Sequence, residues 1–413
     1  MVLLFSGSID DQGPYEIIIN SNDMEYMFLP TARLTGSFKV TKGEGEAIGE
    51  GDNVSIINNL PSSLWKQVEC YVGNVQIEDT SSSTYHYKAL IQTLLSYDNQ
   101  CKESTLESSL YVEDSILKEA VDEYNCKDAA KNKALFERKK LIKLSKKCDF
   151  STPLHVDFFQ CGRYIPPNTE IKLKFIRNDD DLLLMGEAGY KIKLLDLNLF
   201  VRKIFINEKI RTNQTHLYKT LNKNMIFPYP TTKIRAFTLT SNITSKALTI
   251  CEGILPQQVI IGFVKNSAYS GGVQENPYNF KHFGLKRMRF KKNGESFPAE
   301  AFEPDWTNKN YTKEYRWVMD NTGILHNNVS NGLTMDQWAS HKNLWAYDLS
   351  ADQSNGEVCQ DKKIGHLELD LMWNTALSHA VTLLCMFIYE CNSGILLNHK
   401  YGVAKLEDHR LLT

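Results

Sequence analysis

Strict period-two alternation leaves this chain the fewest choices. Within residues 257–302, Met288 and Phe290 alternate with Arg287, Arg289 and Lys291, and Asn293-Gly294 follows at once. A period of two sends successive side chains to opposite faces of a strand, and Asn-Gly supplies the two positive-φ positions of a tight hairpin turn. The same stretch begins with Val259 to Val264, a continuous apolar run suited to a strand covered on both faces. A loop rich in Gly, Asn and Pro, residues 270–279, lies between them. Buried strand, loop and half-buried hairpin together predict an all-β domain.

Other stretches follow the same grammar. Val68, Cys70 and Val72 alternate with Gln67, Glu69 and Tyr71, and Gly73-Asn74 turns the chain into Val75 and Ile77. Strands are predicted at 155–160, 171–175 and 190–206 in the first half. In the second half they are predicted at 233–240, 248–254, 257–264, 366–373 and 380–389. The turns at Gly73-Asn74 and Asn293-Gly294 stand 220 residues apart, and the strands opening at Thr169 and Ser378 stand 209 apart. Two similar offsets in the same order predict one β unit of about eight strands, duplicated in tandem.

A chain of 413 residues exceeds one ordinary core, so two domains of roughly 200 residues are expected. The polar stretch 207–223 reads as a linking helix, ended by the prolines of Phe227 to Pro230. This places a first unit at 1–206, a linker at 207–230 and a second unit at 231–413. Residues 87–95 have helical spacing and cap one edge. Residues 98–149 favour helix, with Ser115 capping one segment, and interrupt the first unit as a surface insertion. Its basic part, 131–147, holds eight Lys or Arg against one Glu. A nuclear-import signal and a nucleic-acid patch are two readings. The favoured one is a solvated helix face with Leu135, Ile142 and Leu144 packed down.

Lys and Arg total 47 against 49 Asp and Glu, a formal charge of −2, so no global field gathers nucleic acid or anionic lipid. Nine cysteines, odd in number and without a CxxC pair, make neither a disulfide framework nor a zinc site and suit a reducing compartment. The most apolar run, 380–389, is half the length a membrane-spanning helix needs, about 20 residues. No phosphate-binding loop, nucleophile elbow or HExxH pair occurs. His155, His282 and His366 sit in or beside predicted strands as structural histidines. Asp179, Asp180 and Asp181 read as a solvated turn, since consecutive residues of a strand cannot all face one metal. Trp306, Tyr311, Tyr315 and Trp317 either fill a barrel end or subunit interface, or stack sugars. No enzyme activity, cofactor or metal site is expected.

The segments LFVRK (199–203), LPQQVIIGFV (255–264), ENPYNFKHF (275–283), LWAYDLSAD (344–352) and GHLELDLMW (365–373) resemble the major capsid protein of Polinton/Maverick elements and their adintovirus relatives. The resemblance runs from about residue 60 to 407. It implies an all-β fold of two tandem jelly-roll sandwiches, a double jelly-roll, with helical insertions. It also implies a structural protein that forms pseudo-hexagonal homotrimers and assembles into an icosahedral shell. The partners implied are further copies of itself and a penton or minor capsid protein, with no specific nucleic-acid site. The location implied is the virion capsid, after synthesis in the cytoplasm and with assembly in the nucleus. The short start leaves little room for an N-terminal arm along the inner shell. Asn276, Pro277, Tyr278, Asn279 and Phe280 are expected to fix a loop at a barrel end or trimer contact. Phe200, Val201, Arg202 and Lys203 are expected to close the first barrel and lead into the second. The alternative is a tandem jelly-roll module that binds carbohydrate or protein.

Overall fold

Sixteen strands carry the architecture in the computed structural model, which describes residues 2–4, 13–21, 24–78, 83–114, 122–216, 225–323, 330–350, 363–389, 394–398 and 403–404. In the first half they are β1 (Val2–Leu4), β2 (Tyr15–Ile19), β3 (Glu25–Lys42), β4 (Trp65–Val72), β5 (Val75–Gln76), β6 (Cys148–Pro153), β7 (Ile171–Arg177) and β8 (Tyr190–Phe205). In the second half they are β9 (Thr231–Leu239), β10 (Ser245–Ile254), β11 (Gln258–Lys265), β12 (Leu285–Lys292), β13 (Glu295–Ser296), β14 (Leu344–Asp348), β15 (Ile364–Trp373) and β16 (Val381–Tyr389).

These strands form four antiparallel sheets. The first half has the orders β1-β8-β3-β6 and β2-β7-β4-β5, and the second has β9-β16-β11-β14 and β10-β15-β12-β13. Adding eight to every strand of the first pair gives the second pair. The two halves therefore share one topology, two facing four-stranded sheets with the same crossovers.

Alternation fills each sandwich. In the first, Leu34, Phe38 and Val40 of β3 and Leu173 and Phe175 of β7 are all buried in the core. Trp65 closes this layer against Tyr15 and Phe175, with ring centroids 5.7 and 4.9 Å away. In the second, Val259 to Val264 is buried throughout because β11 pairs with β14 on one side and β16 on the other. Both hairpins form at the expected turns. Asn293 and Gly294 have φ of 54° and 82°, and Gly73 has φ of 58°.

Helices lie outside the sheets: α1 (Tyr85–Ser96), α2 (Lys133–Ile142), α3 (Glu208–Thr215), α4 (Thr312–Asp320) and α5 (Met335–Ser340). The segment capped by Ser115 falls mostly outside the described residues. Three expectations need correction. The strand expected at 155–160 is a 3-10 turn at Asp157–Gln160, and the strand lies earlier, at β6, because the side chain of Asp157 is committed to partners across the molecule. The strands opening near Thr169 and Ser378 are not equivalents. The former is β7, whose counterpart is β15, and the latter is β16, whose counterpart is β8. Loops of unequal length produced the matching offset. Leu144 is exposed, because the helix breaks into a positive-φ kink there.

The β12–β13 turn supplies a test. In Gly294→Val a β-branched side chain must adopt φ near +82°, at a cost of about 1–2 kcal/mol. The urea midpoint should fall accordingly, whereas an unchanged midpoint would mean the turn is relaxed by another route.

Candidate assembly site: the junction between the two sandwiches

The loop 276–280 does not lie on an outer face; all five of its residues are buried, and Pro277, Tyr278, Asn279 and Phe280 touch residues of the first half. Its shape begins with Asn276, whose Oδ1 accepts the backbone N–H of Tyr278 at 2.9 Å, a local turn that asparagine favours. Tyr278 shares a hydrogen bond between its hydroxyl and Ser63 Oγ. Pro277 offers its carbonyl to the hydroxyl of Tyr87 on α1 at 3.0 Å. Asn279 Nδ2 donates to Asp122 Oδ1 at 2.6 Å, and Lys281 pairs with the same carboxylate. Phe280 packs over β11 at Gly262, where an added Cβ would lie 2.8 Å from its ring and 2.9 Å from Leu344.

An aromatic cluster spans the boundary. Tyr87 stacks on Tyr269 at 5.7 Å and meets Tyr278 edge-on at 5.8 Å and Phe280 at 6.3 Å. Such pairs add about 0.5–1.5 kcal/mol each beyond the area they bury. The hydroxyls of Tyr87 and Tyr278 are satisfied inside the junction, as buried polar atoms require.

Beside this cluster lies a buried charge network that the sequence reading missed. Lys88 on α1 sets its ammonium 2.5 Å from Glu78 Oε1 and 2.8 Å from Asp157 Oδ1, with all three side chains almost fully buried. The other oxygen of Asp157 accepts the backbone N–H of Thr232 on β9 at 2.6 Å, so the network grips the second sandwich at its first strand. Burial, opposed by Lys88 and reinforced by the nearby Asp157 charge, raises the Glu78 carboxyl to about 7. Burial also works against the charge of Lys88, but its two carboxylates outweigh it and hold the ammonium above its ordinary range.

A second network lies along the same boundary. Glu113 pairs with Lys342 and accepts Gln337 Nε2 at 3.1 Å. Asp114 takes Arg138 of α2 at 3.0 Å; burial disfavours its charge, but the guanidinium holds its carboxyl below the ordinary range. Lys102, buried among backbone carbonyls, donates to Asn331 O at 2.6 Å and Leu94 O at 2.9 Å. Main-chain contact adds Gly186 N–H to Val273 O at 2.8 Å.

Phe200, Val201, Arg202 and Lys203 sit on β8, paired with β1 and β3 across a bulge between Phe200 and Arg202. Val201 points into the core, Phe200 is exposed, and Lys203 pairs with Glu25 at 2.7 Å. They do not meet the 276–280 loop in any hydrogen bond or ring contact described.

Most of the remaining candidates are engaged internally. In the basic segment Arg138 is fully buried, Lys139 donates to Asp52 O at 2.7 Å, and Lys140, Lys143 and Lys147 pair with Glu137, Glu50 and Asp196. Leu135 and Ile142 pack down as expected. Trp306 donates to Leu285 O at 2.6 Å, Tyr315 to Leu333 O at 2.7 Å and Trp317 to Ala346 O at 3.0 Å. Their rings pack with Tyr311 around the buried Trp338, Phe302 and Tyr347. His155 bonds Gln92, His282 stacks on Trp306 at 4.0 Å, and His366 lies 3.6 Å from Glu368. Asp180 opens a short helical turn and takes Arg177. Among the described residues seven cysteines are free and six of these are buried. No group of metal-ligating side chains gathers there, and no helix is long and apolar enough to cross a membrane.

Two duplicated four-over-four sandwiches joined through a polar junction have solved counterparts. The chain superposes on a chain of the Sputnik virophage structure with a TM-score of 0.61, covering 100% of this chain and 89% of that one at 10% identity. The fold is the double jelly-roll. Similar matches are the Faustovirus major capsid protein, with a TM-score of 0.56, 8% identity and coverage of 94% and 89%, and the mavirus major capsid protein, with 0.54, 10%, and 96% and 87%. No family model matches the sequence. A curated relative, the uncharacterized protein F54H12.2 of Caenorhabditis elegans, is 22% identical over 347 residues, 80% of this chain and 78% of its own.

Two substitutions test the junction. Lys88→Met leaves two buried carboxylates without their cation and should cost about 3–5 kcal/mol in chemical denaturation; a loss below 1 kcal/mol would mean the network is hydrated. Gly262→Ala forces Phe280 off β11 and should cost about 1–3 kcal/mol, while a neutral result would show that the loop yields freely.

Proposed function

We propose that this chain is a major capsid protein of a virus or virus-like mobile element of the Polinton/Maverick and adintovirus kind. One observation carries the reading: a single jelly-roll topology occurs twice in one chain, and the two copies are locked by buried charges and aromatic rings. Two near-equivalent sandwiches at a fixed relation give each chain two similar sides, so three chains around an axis present six. Such a pseudo-hexagonal trimer tiles a closed shell.

The chain divides into units at 1–206 and 231–413 across the 207–230 linker. The loop 276–280 serves by fixing the angle between the units, and 200–203 by closing the first sandwich. Edge strands support assembly. The short β1, β5 and β13 blunt three sheet edges, while β9 and β10 of the second sandwich carry nine and ten residues and have one sheet neighbour each among the described residues. Long edges of this kind invite contact with a neighbouring chain. The work is done by surface complementarity without a reaction or cofactor. Its partners are further copies and a penton or minor capsid protein, and its place is the virion capsid.

Light scattering after size exclusion, across protein and salt concentration, tests this. A stable species near three times 47.2 kDa, or larger shells, is expected. A strict monomer at every concentration would overturn the capsid reading and favour a carbohydrate- or protein-binding module.

A further inference from the structure

Three buried histidines mark the line where the sandwiches meet. His86 on α1 has its ring 4.5 Å from Tyr87 and 6.4 Å from Tyr278. Its Nδ1 lies 3.3 Å from Asn178 Nδ2, while Nε2 is sealed from water without a hydrogen-bond partner. His341 directly follows α5, with Nδ1 2.7 Å from Ser340 Oγ, Nε2 likewise sealed, and its carbonyl accepting Phe280 N–H at 3.0 Å. His155 lines a cleft of 490 Å³ walled by both sandwiches, between Leu29 and Phe159 on one side and Ile260 and Met386 on the other.

Each of these rings stands near a lysine. The positive charge of Lys66 reaches His86, that of Lys88 reaches His155, and that of Lys342 reaches His341, its neighbour in the chain. The carboxylates in reach are already committed: Glu113 to Lys342, Asp114 to Arg138, and Glu78 and Asp157 to Lys88. A proton on any of the three rings therefore adds a second cation at the boundary, where the nearby carboxylates already hold cations of their own.

We propose that acidification releases the junction: protonation of His86, His155 and His341 parts the two sandwiches while the sheets of each stay folded. Burial first, and the neighbouring lysine second, push His155 and His341 down to about 4 and His86 to about 3. Groups depressed below their ordinary value near 6.5 lend full stability above that pH and lose it as the pH falls towards 4. Each such histidine makes the closed state about tenfold less favoured per pH unit in that window. Glu78 acts oppositely: raised to about 7, it favours the closed state about tenfold per unit as pH falls from 7 to 4.5. Three against one leaves roughly a hundredfold loss per unit between pH 6.5 and 4.5. The device belongs to the single chain and does not depend on the capsid reading.

Hydrogen exchange on the full-length protein at pH 7, 6 and 5, corrected for intrinsic rates, tests it. Peptides holding the bridging amides of Thr232 and Gly186 should lose protection about a hundredfold from pH 6 to 5, while β11 keeps its own. Equal protection at all three values, or loss from β11 in step with the junction, would overturn the proposal. His155→Gln, in the open cleft, should reduce the dependence to about tenfold per unit, and an undiminished slope in that variant would overturn it as well.

Discussion

The ammonium of Lys88 is the contact on which the arrangement of the two sandwiches turns. Removing an ammonium and two carboxylates from water costs several kcal/mol for each ion after relaxation, so the group persists only where every charge finds its partner. Lys88 comes from α1, Asp157 from a turn of the first sandwich, and the last acceptor position is filled by an amide of β9. The network is complete only when the second sandwich begins in the right place. Oily contact alone would let two barrels slide, whereas charges and aligned amides allow one register.

Everything else at the boundary fits that frame. Phe280 comes close against β11 because Gly262 has no side chain, and the carbonyl of Pro277 meets the hydroxyl of Tyr87. Along the same boundary Glu113 and Asp114 repeat the logic with Lys342 and Arg138. A rigid pair of equivalent sandwiches is what a pseudo-hexagonal tile needs, because six similar sides appear only if both barrels of each chain keep a constant angle.

Period-two alternation made the strands legible, and the two hairpins with their Gly-Asn and Asn-Gly turns were placed because short-range chemistry decides them. Helix α1 was readable for the same reason. The equivalence of strands across the duplication was only half legible. Sheet partners are set by crossovers, and an insertion such as 98–149 shifts the numbering without changing the topology. At the site, Asn276 to Phe280 stood out as an unusual loop, but its burial against the first sandwich depends on residues up to 215 positions away in the chain. Lys88, Glu78 and Arg138 left no signal, since an isolated lysine or arginine in a helix reads as a solvated face until its partner is known. Leu144 misled for a related reason: the helical period holds only to Ile142, after which the backbone kinks.

As proposed above, this double jelly-roll serves as a building tile. Electron microscopy of the purified full-length protein tests that most directly. Three-fold particles with six near-equal sides, each made of three two-lobed chains, or closed shells of such tiles, are expected. Isolated two-lobed particles at every concentration would contradict it.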